Sequence, residues 1–138
     1  MKPGPGVSSP GETRATTRSA GRIRGMSVRA SRAAMVTRVP IAVAALVRDG
    51  LVLLVHRHPS RKWYPDCWDL VGGHVESGES PHEAVVRECF EELGVQVHDP
   101  LPIAMTFNDH TLDVHAFLVT RWGGEPVNSA PEEHDDLR

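Results

Sequence analysis

Three glutamates, Glu88, Glu91 and Glu92, stand close together near the middle of the chain. At a helical advance of about 100° per residue, Glu92 falls about 40° and Glu91 about 60° from Glu88, so the three carboxylates share one narrow face. Converging carboxylates are hard oxygen donors of the kind that hold Mg²⁺ or Mn²⁺. They also repel one another. Each like-charge pair at i,i+3 or i,i+4 costs about 0.2–0.5 kcal/mol, and a carboxylate in the last helical turn opposes the helix dipole by about 0.3–1 kcal/mol more. A helix built for stability would carry lysines there. A divalent cation accounts for the crowding, where a solvated acidic face leaves it unexplained. Arg87 lies one turn before Glu91 and can offset the repulsion. Upstream, Gly72-Gly73 lets backbone approach a ligand closely, and a carbonyl there can complete a metal shell.

Other chemistries fail on single residues. Gly73 to Ser80 has the spacing of a phosphate-binding P-loop, but Glu79 stands where a lysine is required. His82-Glu83 opens a zinc-binding H-E-x-x-H, but Val86 occupies the last position. No G-x-S-x-G nucleophile elbow is present, and Cys67 and Cys89 form no C-x-x-C pair.

The elements that must position these groups are legible. Ser80-Pro81-His82-Glu83 supplies an N-cap, a proline at the first helical position and a glutamate at the third. Gly94 sits where a left-handed C-terminal cap belongs, which gives a helix of about 13 residues and about 20 Å. Val85, Val86, Cys89, Phe90 and Leu93 form its apolar stripe, expected against a sheet with the acidic face turned away. Ile41–Val47 and Leu51–Val55 read as a hairpin through Asp49-Gly50, Trp68–Val71 as a short strand, and Leu101–Phe107 and Thr111–Thr120 as later strands. Residues 126–138 are polar and carry no assigned element. The order implies an α/β architecture with a mixed sheet.

Composition bounds the rest. The chain of 138 residues allows one domain of ordinary size, and its net charge of −3 hides an uneven distribution. Residues 1–38 hold Lys2 and seven arginines against Glu12. They are rich in Gly, Ser, Thr and Pro and show no apolar period, so they are expected to form a disordered basic tail. That tail has no aromatic residue to stack on a base, and no specific nucleic-acid binding is expected. The longest apolar run, Ile41–Val47, is far short of the roughly 20 residues of a membrane span. A cytoplasmic location is the expectation from cysteine usage.

Together, Gly73, Glu79, Arg87, Glu88, Cys89, Glu91, Glu92, Gly94 and Val95 fill the pattern G-x5-E-x7-R-E-U-x-E-E-x-G-U, with U apolar. This resembles the Nudix box of the Nudix hydrolases, and the likeness covers residues 39–138. The resemblance implies an α/β/α sandwich with a mixed sheet, and the family's usual C-terminal strand and helix are missing from this reading. It implies metal-dependent hydrolysis of a nucleoside diphosphate linked to another moiety, with Mg²⁺ or Mn²⁺ as cofactor. Glu88, Glu91, Glu92 and the Gly72 carbonyl would bind metal, while Glu79 and Arg87 would brace the loop and helix. The late acids Glu125, Glu132, Glu133 and Asp136 are candidates for a general base, and Arg57 for a phosphate contact. A MutT-type purine nucleoside triphosphatase is the leading expectation. ADP-ribose, dinucleoside polyphosphates and nucleotide sugars are alternative substrates, a non-catalytic nucleotide sensor is an alternative of another class, and a homodimer is left open.

Overall fold

The long strand β1 (Val39–Arg48) organises the fold, because both its edges and both its faces are used. A computed structural model describes residues 37–138 of the chain; most of the basic segment expected as a tail lies outside the described residues. Alternation along β1 buries Ala42, Ala44 and Leu46 on one face. Asp49 and Gly50, at φ +53° and +74°, then make the tight turn into β2 (Leu51–Val52), as Asp-Gly between apolar runs predicts.

The expected second hairpin strand is broken after Val52. Leu53 still donates to Leu46, but Leu54 exchanges backbone hydrogen bonds with Arg138, and β3 (Val55–Arg57) joins another sheet. A similar switch splits the expected Trp68–Val71 strand into β4 (Trp68–Asp69), which pairs with β3, and β5 (Val71–His74), which pairs with β1. Gly72-Gly73 therefore lies inside a strand. A Cβ on Gly72 would stand 2.8 Å from the Val43 Cα and overlap the Ala42 carbonyl oxygen, so this pairing needs glycine.

After the helix α1 (Pro81–Leu93) come β6 (Gln96–Val97), β7 (Leu101–Ile103), β8 (Leu112–Val119), β9 (Trp122–Gly123) and β10 (His134–Leu137). β8 runs parallel to β1 from Val39↔Leu112 to Leu46↔Val119, whereas β2, β5 and β7 pair antiparallel, so the five-stranded sheet is mixed. A second sheet has the order β10-β3-β4, and β6 pairs with β9. β7 is shorter than the expected Leu101–Phe107 strand, and residues 134–137, without an expected element, form β10 against β3. Its polar residues conceal it, since His134 is its one buried residue.

The class is α/β with a mixed sheet, and α1 is the one helix among the described residues. Its Ala84, Val85, Cys89 and Leu93 pack with Ala42, Ala44, Val71, Phe117 and Val119 in the core. No helix of the described residues is long and apolar enough to cross a membrane.

Candidate active site

Both ends of α1 are pinned, which sets the phase of every side chain along it. Ser80 Oγ accepts from the Glu83 backbone N–H at 3.2 Å, and the Glu83 carboxylate accepts from the Ser80 N–H at 2.8 Å. Pro81 opens the helix and Gly94, at φ +68°, closes it. The buried face comprises Ala84, Val85, Cys89, Glu92 and Leu93. This corrects the expected orientation, in which the acidic face pointed away from the core. Glu92 is 2% exposed, whereas Phe90, assigned to the apolar stripe, is 64% exposed. The small Ala84 and Cys89 seat the helix closely against an alanine-rich strand, which turns Glu88 and Glu92 inward with them.

Glu92 Oε2 accepts the Gly72 backbone N–H at 3.3 Å. Burial, with the Glu88 and Glu133 carboxylates adding to it, pushes the Glu92 carboxyl up to about 9. Glu88 is also raised by burial, against the pull of Arg87. Its carboxylate fills the space that a side chain at Gly73 would need.

Arg87 ties the acids together. Its Nε and Nη2 donate to the two carboxylate oxygens of Glu79 at 2.8 and 2.9 Å, a bidentate fork. Nη1 donates to Glu88 at 2.7 Å and Glu91 at 3.2 Å, and Nη2 also reaches the His74 carbonyl at 3.0 Å. The fork holds the Glu79 carboxyl down at about 2 and raises the Arg87 guanidinium above its ordinary value. Glu79 further accepts the Glu76 N–H, closing the loop ahead of α1.

A cleft of about 490 Å³ is lined by Gly72, Arg87, Glu88, Glu91, Glu92 and Glu133. Glu79 braces it from outside the lining. Glu133 is the late acid brought to this site, since one ligand atom from each of Glu92, Glu133 and His134 lies within 4.8 Å of the others. Glu125 faces Arg48 at 3.8 Å on an exposed side chain, Asp136 accepts from the Leu137 N–H, and Glu132 borders a separate hollow with Lys62. His134 is absent from the sequence-derived candidates, and nothing in the polar run around it signals burial. Its ring is 3% exposed, and burial lowers its pKa.

Arg57 also lines the cleft, but its guanidinium is committed to a loop. Nε donates to the carbonyls of Trp63 and Tyr64 at 3.2 and 2.9 Å, and Nη2 donates to Trp63 at 2.7 Å. The loop is closed again by the Tyr64 hydroxyl donating to Asp109. Trp63, Tyr64 and Phe107, all exposed, thus form an aromatic part of the cleft wall.

The donor set fits a hard divalent cation. Its oxygens converge on one cleft, and Arg87 engages Glu79, Glu88 and Glu91, while buried Glu92 stands 4.0 Å from His134.

A family model described as NUDIX domain matches residues 38–138. The chain is 39% identical over 71 residues to the isopentenyl-diphosphate Delta-isomerase of Salmonella arizonae, a match covering 51% of this chain and 39% of that protein. The chain thus spans about two fifths of the length of the curated relatives it matches. Among solved structures, a MutT NUDIX hydrolase from Burkholderia pseudomallei aligns with a TM-score of 0.68 and 30% identity, covering 73% of this chain and 81% of that one. A MutT protein from Bacillus halodurans aligns with a TM-score of 0.54 and 30% identity, over 72% and 66% of the two chains.

Proposed function

From the premise that the chain belongs to the NUDIX family, whose model matches residues 38–138, we propose that it hydrolyses a nucleoside diphosphate linked to another moiety. The observation that supports this best is the inward turn of Glu88 and Glu92 into a cleft that also has an aromatic wall. The leading substrate class is a purine nucleoside triphosphate, ordinary or oxidised, cleaved to monophosphate and diphosphate.

In this reading Glu88, Glu91, Glu92 and the Gly72 carbonyl hold Mg²⁺ or Mn²⁺. The bound cation supplies neutralisation of the diphosphate charge and a lowered pKa for water. The chain does the positioning. Arg87 and Glu79 lock the loop onto the helix, so the carboxylates are preorganised before substrate arrives. Glu133, beside Glu92, would accept the proton of the attacking water as the water oxygen forms its bond to phosphorus and the P–O bond to the leaving phosphate breaks. Trp63 and Phe107 offer faces for a base, and Arg57 acts on substrate through the loop it holds. The diphosphate named in the isomerase relatives is the group this acidic cleft would address.

A second reading, isomerisation of a small alkenyl diphosphate, is favoured by those relatives and by the apolar lining residues Ile41, Val43 and Leu112. Product analysis separates the two. The experiment is phosphate and diphosphate release from a panel including 8-oxo-dGTP, dGTP, ADP-ribose and isopentenyl diphosphate, with Mg²⁺ or with EDTA, for wild type and Glu92→Gln. Hydrolysis that needs both metal and Glu92 supports the proposal. Turnover of isopentenyl diphosphate without phosphate release supports the second reading, and inactivity across the panel overturns both.

A further inference from the structure

We infer that His134 is a further ligand of the divalent cation proposed for this site, adding an imidazole nitrogen beside the carboxylate of Glu92. This rests on the cation-binding reading above and goes beyond its all-oxygen donor set.

The backbone of His134 is fully engaged. It opens β10 opposite Arg57, its N–H donates to Ala130 at 3.0 Å, and its carbonyl accepts from the Asn128 side chain at 2.7 Å. The ring is directed by the strand and sealed from solvent at 3% exposure. Its Nδ1 is buried without a hydrogen-bond partner, and its Nε2 stands 4.0 Å from Glu92 Oε1, beyond hydrogen-bond reach. The Glu92 carboxyl has the Gly72 N–H as a partner, whereas the buried Nδ1 of the ring has none, which is costly.

One ion would bridge the His134 Nε2 and Glu92 Oε1. First-row divalent cations bind nitrogen and oxygen at about 2.0–2.2 Å, so two donors on one ion stand up to about 4.2 Å apart. The 4.0 Å pair meets that span and fails as a hydrogen bond. Glu133, the proton acceptor proposed above, lies within 4.8 Å of both and borders the same ion. An imidazole ligand shifts preference from Mg²⁺ toward the first transition row, because nitrogen is a softer donor than carboxylate oxygen.

The test uses Mn²⁺ alone as probe, with the full chain, read by pulsed electron paramagnetic resonance. The expected result is a ¹⁴N modulation that becomes a ¹⁵N pattern in protein grown with ¹⁵N-histidine and disappears in His134→Gln, with Mn²⁺ affinity reduced at least roughly tenfold. His74→Asn, which alters the histidine lining the cleft, should keep the signal. This variant and the labelled wild type keep the test decisive even where His134→Gln fails to fold. Bound Mn²⁺ without nitrogen coupling overturns the inference and leaves the cation site standing. A signal that survives in folded His134→Gln, or vanishes in His74→Asn, also overturns it. Failure of the wild type to bind Mn²⁺ at all overturns the cation-binding reading itself.

Discussion

A Cβ on Gly73 would stand 2.6 Å from the Glu88 carboxyl carbon, so the missing side chain of one residue is the space that holds the acid of the other. The neighbouring glycine faces a different obstacle. At Gly72 the conflict is with the backbone of Ala42 and Val43, which cannot swing aside.

Adjacent Gly→Ala changes should therefore separate. Gly73→Ala is expected to fold with a melting temperature near that of the wild type but to lose divalent-cation affinity and turnover, because the flexible end of Glu88 moves. Gly72→Ala is expected to lose about 3 kcal/mol of stability, because a strand must shift. Thermal melts together with cation titration check both; equal destabilisation of the two variants would contradict the assignment.

The stability of cation-free protein should fall as pH rises from 4.5 toward about 9. Glu92 keeps its proton in the folded state up to about 9, while its ordinary value is 4.5. Over that window the unfolded chain ionises first and is favoured. Glu92→Gln should flatten this slope and raise the melting temperature at neutral pH, with turnover reduced by orders of magnitude. Saturating Mn²⁺ should restore wild-type stability by mass action and leave Glu92→Gln largely unaffected. Melting curves at several pH values, with and without the ion, measure this.

Arg87→Lys should not substitute for the wild-type residue, since an ammonium cannot make the fork to both Glu79 oxygens. With its pKa depressed, Glu79 stabilises the fold above pH 4.5 and loses that contribution as pH falls toward about 2. The variant should lose less stability across that acid range, having less to lose, and should be less stable at pH 7. Acid titrations of both proteins by circular dichroism would reveal it, and superimposable curves would count against the fork.

Arg57→Met and Trp63→Ala should raise KM for a nucleotide substrate by roughly tenfold while changing kcat far less. Both act on the aromatic wall, the first by releasing the Trp63 and Tyr64 carbonyls and the second by removing a face. A loss confined to kcat in Arg57→Met would instead mean that its guanidinium meets the reacting phosphate. Steady-state kinetics on the preferred nucleotide distinguishes these outcomes.

What could be read directly was local. The limits of α1 follow from Ser80, Pro81, Glu83 and Gly94, and the first hairpin from Asp49-Gly50, because caps and tight turns involve residues a few positions apart. The spacing that groups Glu88, Glu91 and Glu92 with Arg87 is likewise a property of one helix. Non-local pairing hid the rest. The breaks at Leu53 and Leu70 depend on partners far along the chain, and β10 is polar enough to pass for a loop until β3 lies beside it.

The sequence by itself determined that a capped helix would carry three carboxylates and one arginine on neighbouring positions. Only the tertiary structure decided which way that helix would face, that Glu133 among four late acids would reach Glu92, and that His134 would be buried beside them. The physical reason is that helical periodicity fixes angles between side chains but not their absolute direction. Direction was set by the close seating of Ala84 and Cys89 on the sheet, and by a strand pairing between residues nearly eighty positions apart.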